Sequence, residues 1–261
     1  MQYLILGGGL PSDARRPPGS APDRRSNALH NVYKMNLLFD LDGTLTDAAS
    51  GITLCLQHAL LRLGRQPPPL GYLRRYIGPP LRATFVQLLA TDDNAVIESA
   101  LTHYRERFSA VGMYENGVYL DVPKGLAALR EAGHLLWVVT SKPKVYACRI
   151  VEHFGLGSLF QSVYGSTLSG ENSEKTDLIA HVLKCERLDP ACSWMIGDRA
   201  DDIVGGRENG TGTIGVLWGY GSAEELKKAE PNILVDSMAE LFAYVQAAQH
   251  SIAADGRSPH R

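Results

Sequence analysis

Apolar and polar positions fall into blocks along this chain, and the blocks predict alternating strands and helices. NLLFDL at 36–41 is a short apolar run of strand length. GITLCLQHALLRLG at 51–64 puts Ile52, Leu56, Ala59, Leu60 and Leu63 on one helical face. QPPPLG breaks the pattern, and helical spacing returns around 70–77, 80–90 and 93–110, with no strand signal among those segments. Beyond 115 the alternation is regular. PKGLAALREAG is a helix ending on Gly133, and HLLWVVTS is a strand. A helix at 143–154 is closed by Gly155, followed by the short strand SVYGS and the helix EKTDLIAHVLKCE. CSWMIGD and TGTIGVLWG are strands around the helix DDIVGGRENG. EELKKAE and SMAELFAYVQAAQ read as surface helices on either side of a weak strand at NILV.

Apolar strands alternating with helices imply a parallel sheet covered on both faces. The expected fold is therefore α/β, a Rossmann-like parallel-sheet core carrying an inserted all-helical domain. The core is expected at 35–48 and 115–247, and the helical insertion at 49–114. Residues 1–34 are rich in Gly, Pro, Ser, Arg and Asp and read as a disordered extension, with Met35 standing immediately before the first strand. Residues 248–261 read as a flexible tail.

Composition narrows the partners. A net charge of -2 leaves no basic footprint for a nucleic acid polymer and no polybasic surface for a membrane. No apolar run reaches the roughly 18 residues that a membrane-spanning helix needs. Cys55, Cys148, Cys185 and Cys192 form no C-x-x-C pair and no zinc-like cluster, which suggests reduced thiols and a cytoplasmic location. A monomer or a homodimer is expected.

In a parallel sheet the ligand crevice lies beyond the carboxyl ends of the strands. Three strands here end on polar residues: Asp40, Thr140–Ser141 and Asp198. Asp40 suits a nucleophile, and Asp42, two residues on, suits a general acid and base. Gly43 permits a tight turn that brings backbone amides toward an anion, with Thr44 following it. Thr140 and Ser141 offer a hydroxyl and amides at the start of the next helix, a natural phosphate seat. Lys175 opens a helix and supplies a point charge, while Asp198 and Asp202 add oxygen ligands for a hard cation such as Mg²⁺. Each signal alone has a plainer reading: an isolated D-x-D caps a turn, a lone lysine is solvated, and G-D-x-x-x-D caps a helix. Their common placement on one sheet edge favours a site.

DLDGT at 40–44, VVTS at 138–141, Lys175 in SEKTDLI and IGDRADDI at 196–203 stand in the order of four motifs. With them, the chain over roughly 36–245 resembles the haloacid dehalogenase-like phosphohydrolases. TSKP and the segment around IGVLWGYGS look like the phosphoglycolate phosphatase-like branch, which also contains 5′-nucleotidases. The resemblance implies that Asp40 attacks phosphorus, that Asp42 moves protons, and that Thr140 and Lys175 hold the phosphoryl group. It also implies that Asp40, the Asp42 backbone carbonyl and Asp198 ligate Mg²⁺, with Asp202 in or just outside the metal shell. Asp121 and Ser169 depart from the usual pattern, and Asp47 stands near the expected hinge of the insertion, where it either caps the next helix or tunes the site.

The resulting expectation is a Mg²⁺-dependent phosphomonoesterase acting on a small phosphorylated metabolite through an aspartyl-phosphate. A dehalogenase would have no need of Asp42, since a halide leaves without a proton. No mutase hinge signature appears in 46–60, and a non-catalytic binding protein would not need both Asp40 and Asp42. Phosphoglycolate is the first substrate expected and a nucleoside 5′-monophosphate the second. Arg82 in YIGPPLR is a candidate for binding a substrate carboxylate or second phosphate, against the plainer reading of a solvated helix residue. Lys142 is a candidate for the site entrance.

Overall fold

In a computed structural model, which describes residues 34–255, a single parallel sheet forms the centre of the molecule. Its strands are β1 (Asn36–Phe39), β4 (Leu135–Pro143), β5 (Ser162–Ser166), β6 (Ser193–Gly197), β7 (Gly212–Val216) and β8 (Ile233–Val235), in the spatial order β5-β4-β1-β6-β7-β8. β1 therefore lies between β4 and β6, pairing Phe39 with Val138 on one side and with Ile196 on the other. That register brings Asp40, Thr140 and Asp198 to the same carboxyl edge, as the strand endings imply.

Side chains along β1 alternate between the two faces. Leu37 and Phe39 join a core with Leu126, Ile150, Leu241 and Val245, from α5 (Val122–Glu131), α6 (Lys144–His153) and α10 (Met238–Asp255). Leu38 points the other way, into a cluster with Val139, Met195, Leu178 and Val182 of α7 (Lys175–Glu186). α8 (Ala200–Glu208) and α9 (Ala223–Ala229) bury Ile203 and Leu226 together. The sheet is thus covered on both faces, which is why its strands read as apolar runs.

Four helices stand between β1 and the rest of the sheet: α1 (Ala49–Arg62), α2 (Leu70–Leu73), α3 (Leu81–Leu89) and α4 (Asn94–Ala110). On either side of them are β2 (Thr46–Asp47) and β3 (Gly117–Val118), which pair antiparallel. These two-residue strands have no counterpart in the sequence reading, because two residues carry no periodicity. Phe85, Leu101 and Phe108 pack into the same apolar cluster as Phe39, so the helical segment and one sheet face share a core.

Two sequence-based expectations change. β4 continues through Ser141 to Pro143, with its register shifting after Thr140, and α6 begins only at Lys144. Thr140 and Ser141 therefore do not open a helix. Pro143 sets the boundary, since its ring excludes the helical donor and fits the position before the first turn. α10 runs to Asp255, past residue 248, where the sequence suggests a tail. Ala248 and Gln249 are buried within it. The expected disorder of residues 1–34 falls, apart from Lys34, outside the described residues.

His134 ties the start of β4 to β1, since its Nδ1 accepts from the Met35 backbone N–H at 3.4 Å. Burial lowers its pKa to about 4. The folded state thus binds fewer protons than the unfolded chain between about pH 4 and pH 6.5, and this stabilisation is lost as pH falls through that window. Chemical denaturation at pH 7 and pH 4.5 should show His134→Gln losing less stability on acidification than the wild type, by about 1–2 kcal/mol.

Candidate active site

The residues after β1 fold back at once. Leu45 and Thr46 donate backbone N–H groups to the Leu41 carbonyl, at 2.9 and 3.0 Å. Gly43, at φ +94°, allows this turn, and its own N–H donates to the Thr46 carbonyl at 2.7 Å. The turn seats Asp40 and Asp42 side by side and buried. They face different partners. Asp40 Oδ1 lies 2.8 Å from Lys175 Nζ, whereas Asp42 Oδ2 lies 2.6 Å from Lys142 Nζ.

Lys175 is the first residue of α7 and is buried, with Nζ also 2.8 Å from Asp202 Oδ1 and 3.0 Å from the Val139 carbonyl. Burial works to lower its pKa, but Asp202 and Asp40 outweigh that and raise it, so the ammonium is fixed. Asp198 closes β6. It accepts from the Thr44 hydroxyl at 3.1 Å and from the Tyr220 N–H at 2.8 Å. Asp202 Oδ2 accepts the Arg199 N–H at 3.1 Å, at the start of α8.

Ligand oxygens of Asp40, Asp198 and Asp202 all lie within 4.8 Å of one another. Burial, together with Asp40 and Asp202, pushes the Asp198 carboxyl up to about 8. Asp202 is raised for the same main reason, with Lys175 opposing. Three buried, closely grouped carboxylates, two of them paired with Lys175, form a donor set that suits a hard divalent cation. The Asp42 carboxylate stands apart from this cluster, so of the four expected metal residues three converge through their side chains. Burial raises the Asp42 pKa, and the Lys142 ammonium partly offsets it. Its Oδ1 is buried with no hydrogen-bond partner among the described residues.

A cavity of about 610 Å³ opens beside these groups. Asp40, Asp42, Thr140, Ser141 and Lys142 line one part of it, and Tyr76, Ile77, Leu101, Tyr104 and Phe108 another. Lys142 bridges the two, with Nζ 4.5 Å from the centre of the Phe108 ring. It turns inward onto Asp42 instead of standing free at the entrance. Arg82 also lines the cavity, but its guanidinium is held by Glu98 and by Asn94 Oδ1, the latter at 2.9 Å. Gly43 and Thr44 serve the turn and Asp198; the N–H of one and the hydroxyl of the other are already used within the protein. Asp47 accepts both the Ala49 N–H at 3.2 Å and the Tyr220 hydroxyl at 2.8 Å, so capping and site support coincide. Asp121 precedes α5 without a side-chain cap bond, and the Ser169 hydroxyl lies 2.8 Å from that of Thr167.

Three contributors escape the sequence reading. Tyr220 holds Asp198 through its backbone. Gly219 lets the chain pass so close that a Cβ there would lie 2.3 Å from the Asp198 Cβ. Arg199 joins Asp202, through its backbone, to the Ile77 carbonyl and Glu225, through its side chain. Only the W-G-Y-G run hinted at a close backbone approach.

The family model described as "Haloacid dehalogenase-like hydrolase" matches residues 37–216. The chain belongs to the haloacid dehalogenase-like hydrolases. It is 46% identical over 206 residues to a 5′-nucleotidase of Pseudomonas aeruginosa, covering 79% of this chain and 93% of that protein. It is 36% identical over 198 residues to the tyrosine-protein kinase PtkA of Mycobacterium tuberculosis, covering 76% and 67%. A phosphoglycolate phosphatase of Psychrobacter arcticus is 26% identical, with 82% and 97% covered. Among solved structures, a predicted phosphatase from Clostridium acetobutylicum superposes with a TM-score of 0.79 at 39% identity, over 83% of this chain and all of that one. Within the family, the chain is a phosphatase.

Gly43 offers a direct test of the carboxylate cluster. An alanine Cβ there would fall 2.2 Å from Asp198 Oδ2, at a φ that L-residues rarely adopt. Gly43→Ala should lower phosphatase kcat by about 100-fold, as a misplacement of about 1 Å does at a reacting centre. The far-ultraviolet circular dichroism should stay that of the wild type.

Proposed function

We propose that this chain is a Mg²⁺-dependent phosphomonoesterase acting through an aspartyl-phosphate, with nucleoside 5′-monophosphates as its substrate class. The observation that carries the chemistry is the division of labour between the two aspartates of one turn. Asp40 sits with Lys175 among the clustered carboxylates, and Asp42 sits with Lys142 outside that cluster, both on one cavity wall.

In this reading Asp40 attacks phosphorus, and the bond to the leaving oxygen breaks as Asp42 gives that oxygen a proton. Asp42 then takes a proton from the water that attacks the aspartyl-phosphate, which restores Asp40 and releases phosphate. A raised pKa suits Asp42 to carry the first proton, and its unpartnered Oδ1 is the atom free to do so. Lys175 holds Asp40 in place and, with Thr140, offsets charge on the transferring group. Asp40, Asp198 and Asp202 would hold Mg²⁺, which supplies charge stabilisation for the phosphoryl oxygens. Residues 49–114 act as a cap that shapes the cavity over the leaving group, with β2 and β3 as the two crossings.

The substrate class rests on the cavity. A volume of about 610 Å³ lies in the range of pockets that enclose drug-sized ligands. Tyr76, Tyr104 and Phe108 give it aromatic walls, which suit a sugar and a flat base better than a two-carbon acid. For phosphoglycolate, the first substrate expected from the sequence, Arg82 was the candidate to bind the carboxylate, and Arg82 is paired with Glu98. The 46% likeness to a 5′-nucleotidase supports the same order of preference.

Phosphate release from a panel of nucleoside monophosphates, phosphoglycolate and p-nitrophenyl phosphate tests this. Mg²⁺ should be required, chelation should abolish turnover, and Asp40→Asn should lose about 1,000-fold or more in kcat, since covalent catalysis is removed. Full activity in Asp40→Asn would overturn the mechanism. A panel in which phosphoglycolate leads by kcat/KM would overturn the substrate class.

A further inference from the structure

The cavity has two ends, and α4 measures the distance between them. Glu98, Leu101, Arg105 and Phe108 lie on one face of that helix, and all four line the cavity. Phe108 marks the catalytic end, because Lys142 lies between its ring and Asp42. Glu98 is ten residues away, about 15 Å along the helix axis at 1.5 Å per residue. A substrate fixed by its phosphate at Asp40 reaches Glu98 only if the rest of it is long.

Glu98 is not alone there. Its Oε1 is paired with Arg82 of α3, and Arg82 is steadied by Asn94 at the start of α4. The side chains are 46% and 57% exposed for Arg82 and Glu98, so water or a ligand reaches both. An exposed ion pair contributes little to folding. A carboxylate has two oxygens and a guanidinium five N–H donors, so the pair retains accepting and donating capacity side by side. The pair also neutralises itself, which removes Arg82 as an anchor for a second anion. Arg105, on the same wall, is tied to the Leu168 carbonyl at 2.7 Å.

We propose that Glu98 and Arg82 are the specificity-determining pair, reading the hydrogen-bonding edge of a nucleobase and turning away substrates whose far end is anionic. This rests on the nucleoside monophosphate reading above and assigns it to two residues. Glu98 accepts from a base N–H, Arg82 donates to a neighbouring ring nitrogen or carbonyl, and Leu101 and Tyr104 line the path between base and phosphate.

The two residues predict the same loss on nucleotides and different outcomes on substrates with an anionic far end. Steady-state kinetics of the full chain, with Mg²⁺, would compare wild type, Glu98→Ala, Glu98→Gln and Arg82→Ala. All three variants should lose about tenfold in kcat/KM for nucleoside monophosphates, mainly through KM, as expected for a solvent-accessible hydrogen bond to a charged group. Turnover of p-nitrophenyl phosphate, which is too short to reach α3, should stay within about twofold of the wild type. Glu98→Ala should gain several-fold on sugar bisphosphates, whose second phosphate is far enough from the first to meet a freed Arg82; Arg82→Ala should not. Equal losses on p-nitrophenyl phosphate would show a structural role and overturn the proposal. Unchanged nucleotide kinetics in the variants would also overturn it, while leaving the nucleotidase reading intact. A wild type inactive on every nucleotide would overturn both.

Discussion

Four carboxylates buried at one sheet edge, matched by two lysines, are the constraint on which the rest of this structure depends. Asp40, Asp42, Asp198 and Asp202 are all shielded from water, and only Lys175 and Lys142 make ion pairs with them among the described residues. Burying uncompensated charge costs several kcal/mol per ion even after relaxation. The chain tolerates it because each carboxylate is held by at least one partner. Lys175 binds two carboxylates, Thr44 and the Tyr220 backbone hold Asp198, and the Arg199 backbone holds Asp202. The fold's stability and its chemistry therefore compete at one place, and a divalent cation held by Asp40, Asp198 and Asp202 would relieve both sides of that competition.

The sheet order follows from the same need. With β1 flanked by β4 and β6, Asp40 has Thr140 beside it on one side and Asp198 on the other. Any order that separated these strands would place those residues about 5 Å further apart for each strand inserted. Lys175 is brought in by α7, whose Leu178 and Val182 anchor it under the opposite sheet face. Ordinary apolar packing on that face thus fixes the position of a charge on the edge.

How much of this was legible in the sequence depends on range. The strands that end on Asp40, Thr140 and Asp198 announce themselves because a sheet buried on both faces needs unbroken apolar runs, and polar residues at their ends stand out. Lys175 was legible through its place at a helix start. Lys142 was not: whether a lysine beside Ser141 faces water or Asp42 is decided by Phe108, in a helix far back along the chain. Arg82 looked available for a substrate anion because nothing in YIGPPLR reveals Glu98, sixteen residues on in a different helix. Tyr220 contributes to Asp198 through its backbone N–H, and a backbone contact leaves no residue-type signature. The extent of α10 escaped for a different reason, since its Ala/Gln-rich end has the composition of a tail and is held by packing at Ala248.

The cavity-lining loop at Ile77 and Gly78 and the carboxylate cluster are not independent parts. Arg199 gives its backbone N–H to Asp202 and its guanidinium to the Ile77 carbonyl, in the loop that lines the cavity beside Tyr76. Gly78 follows at φ +112°, where a Cβ would lie 2.8 Å from the Arg199 Cγ, so the loop can seat there only because it carries glycine. A second link runs parallel to it. The Arg74 guanidinium lies 5.6 Å from the Tyr220 ring centre, and Tyr220 holds Asp198 with its N–H and Asp47 with its hydroxyl. Both aspartates of the G-D-x-x-x-D segment are thereby held by residues that also touch the helical insertion. A residue that must satisfy a buried carboxylate and a cavity-lining loop at once has little freedom to vary. If Glu98 and Arg82 read the substrate as proposed, preference can change there without disturbing the carboxylates, because neither link reaches the far end of α4.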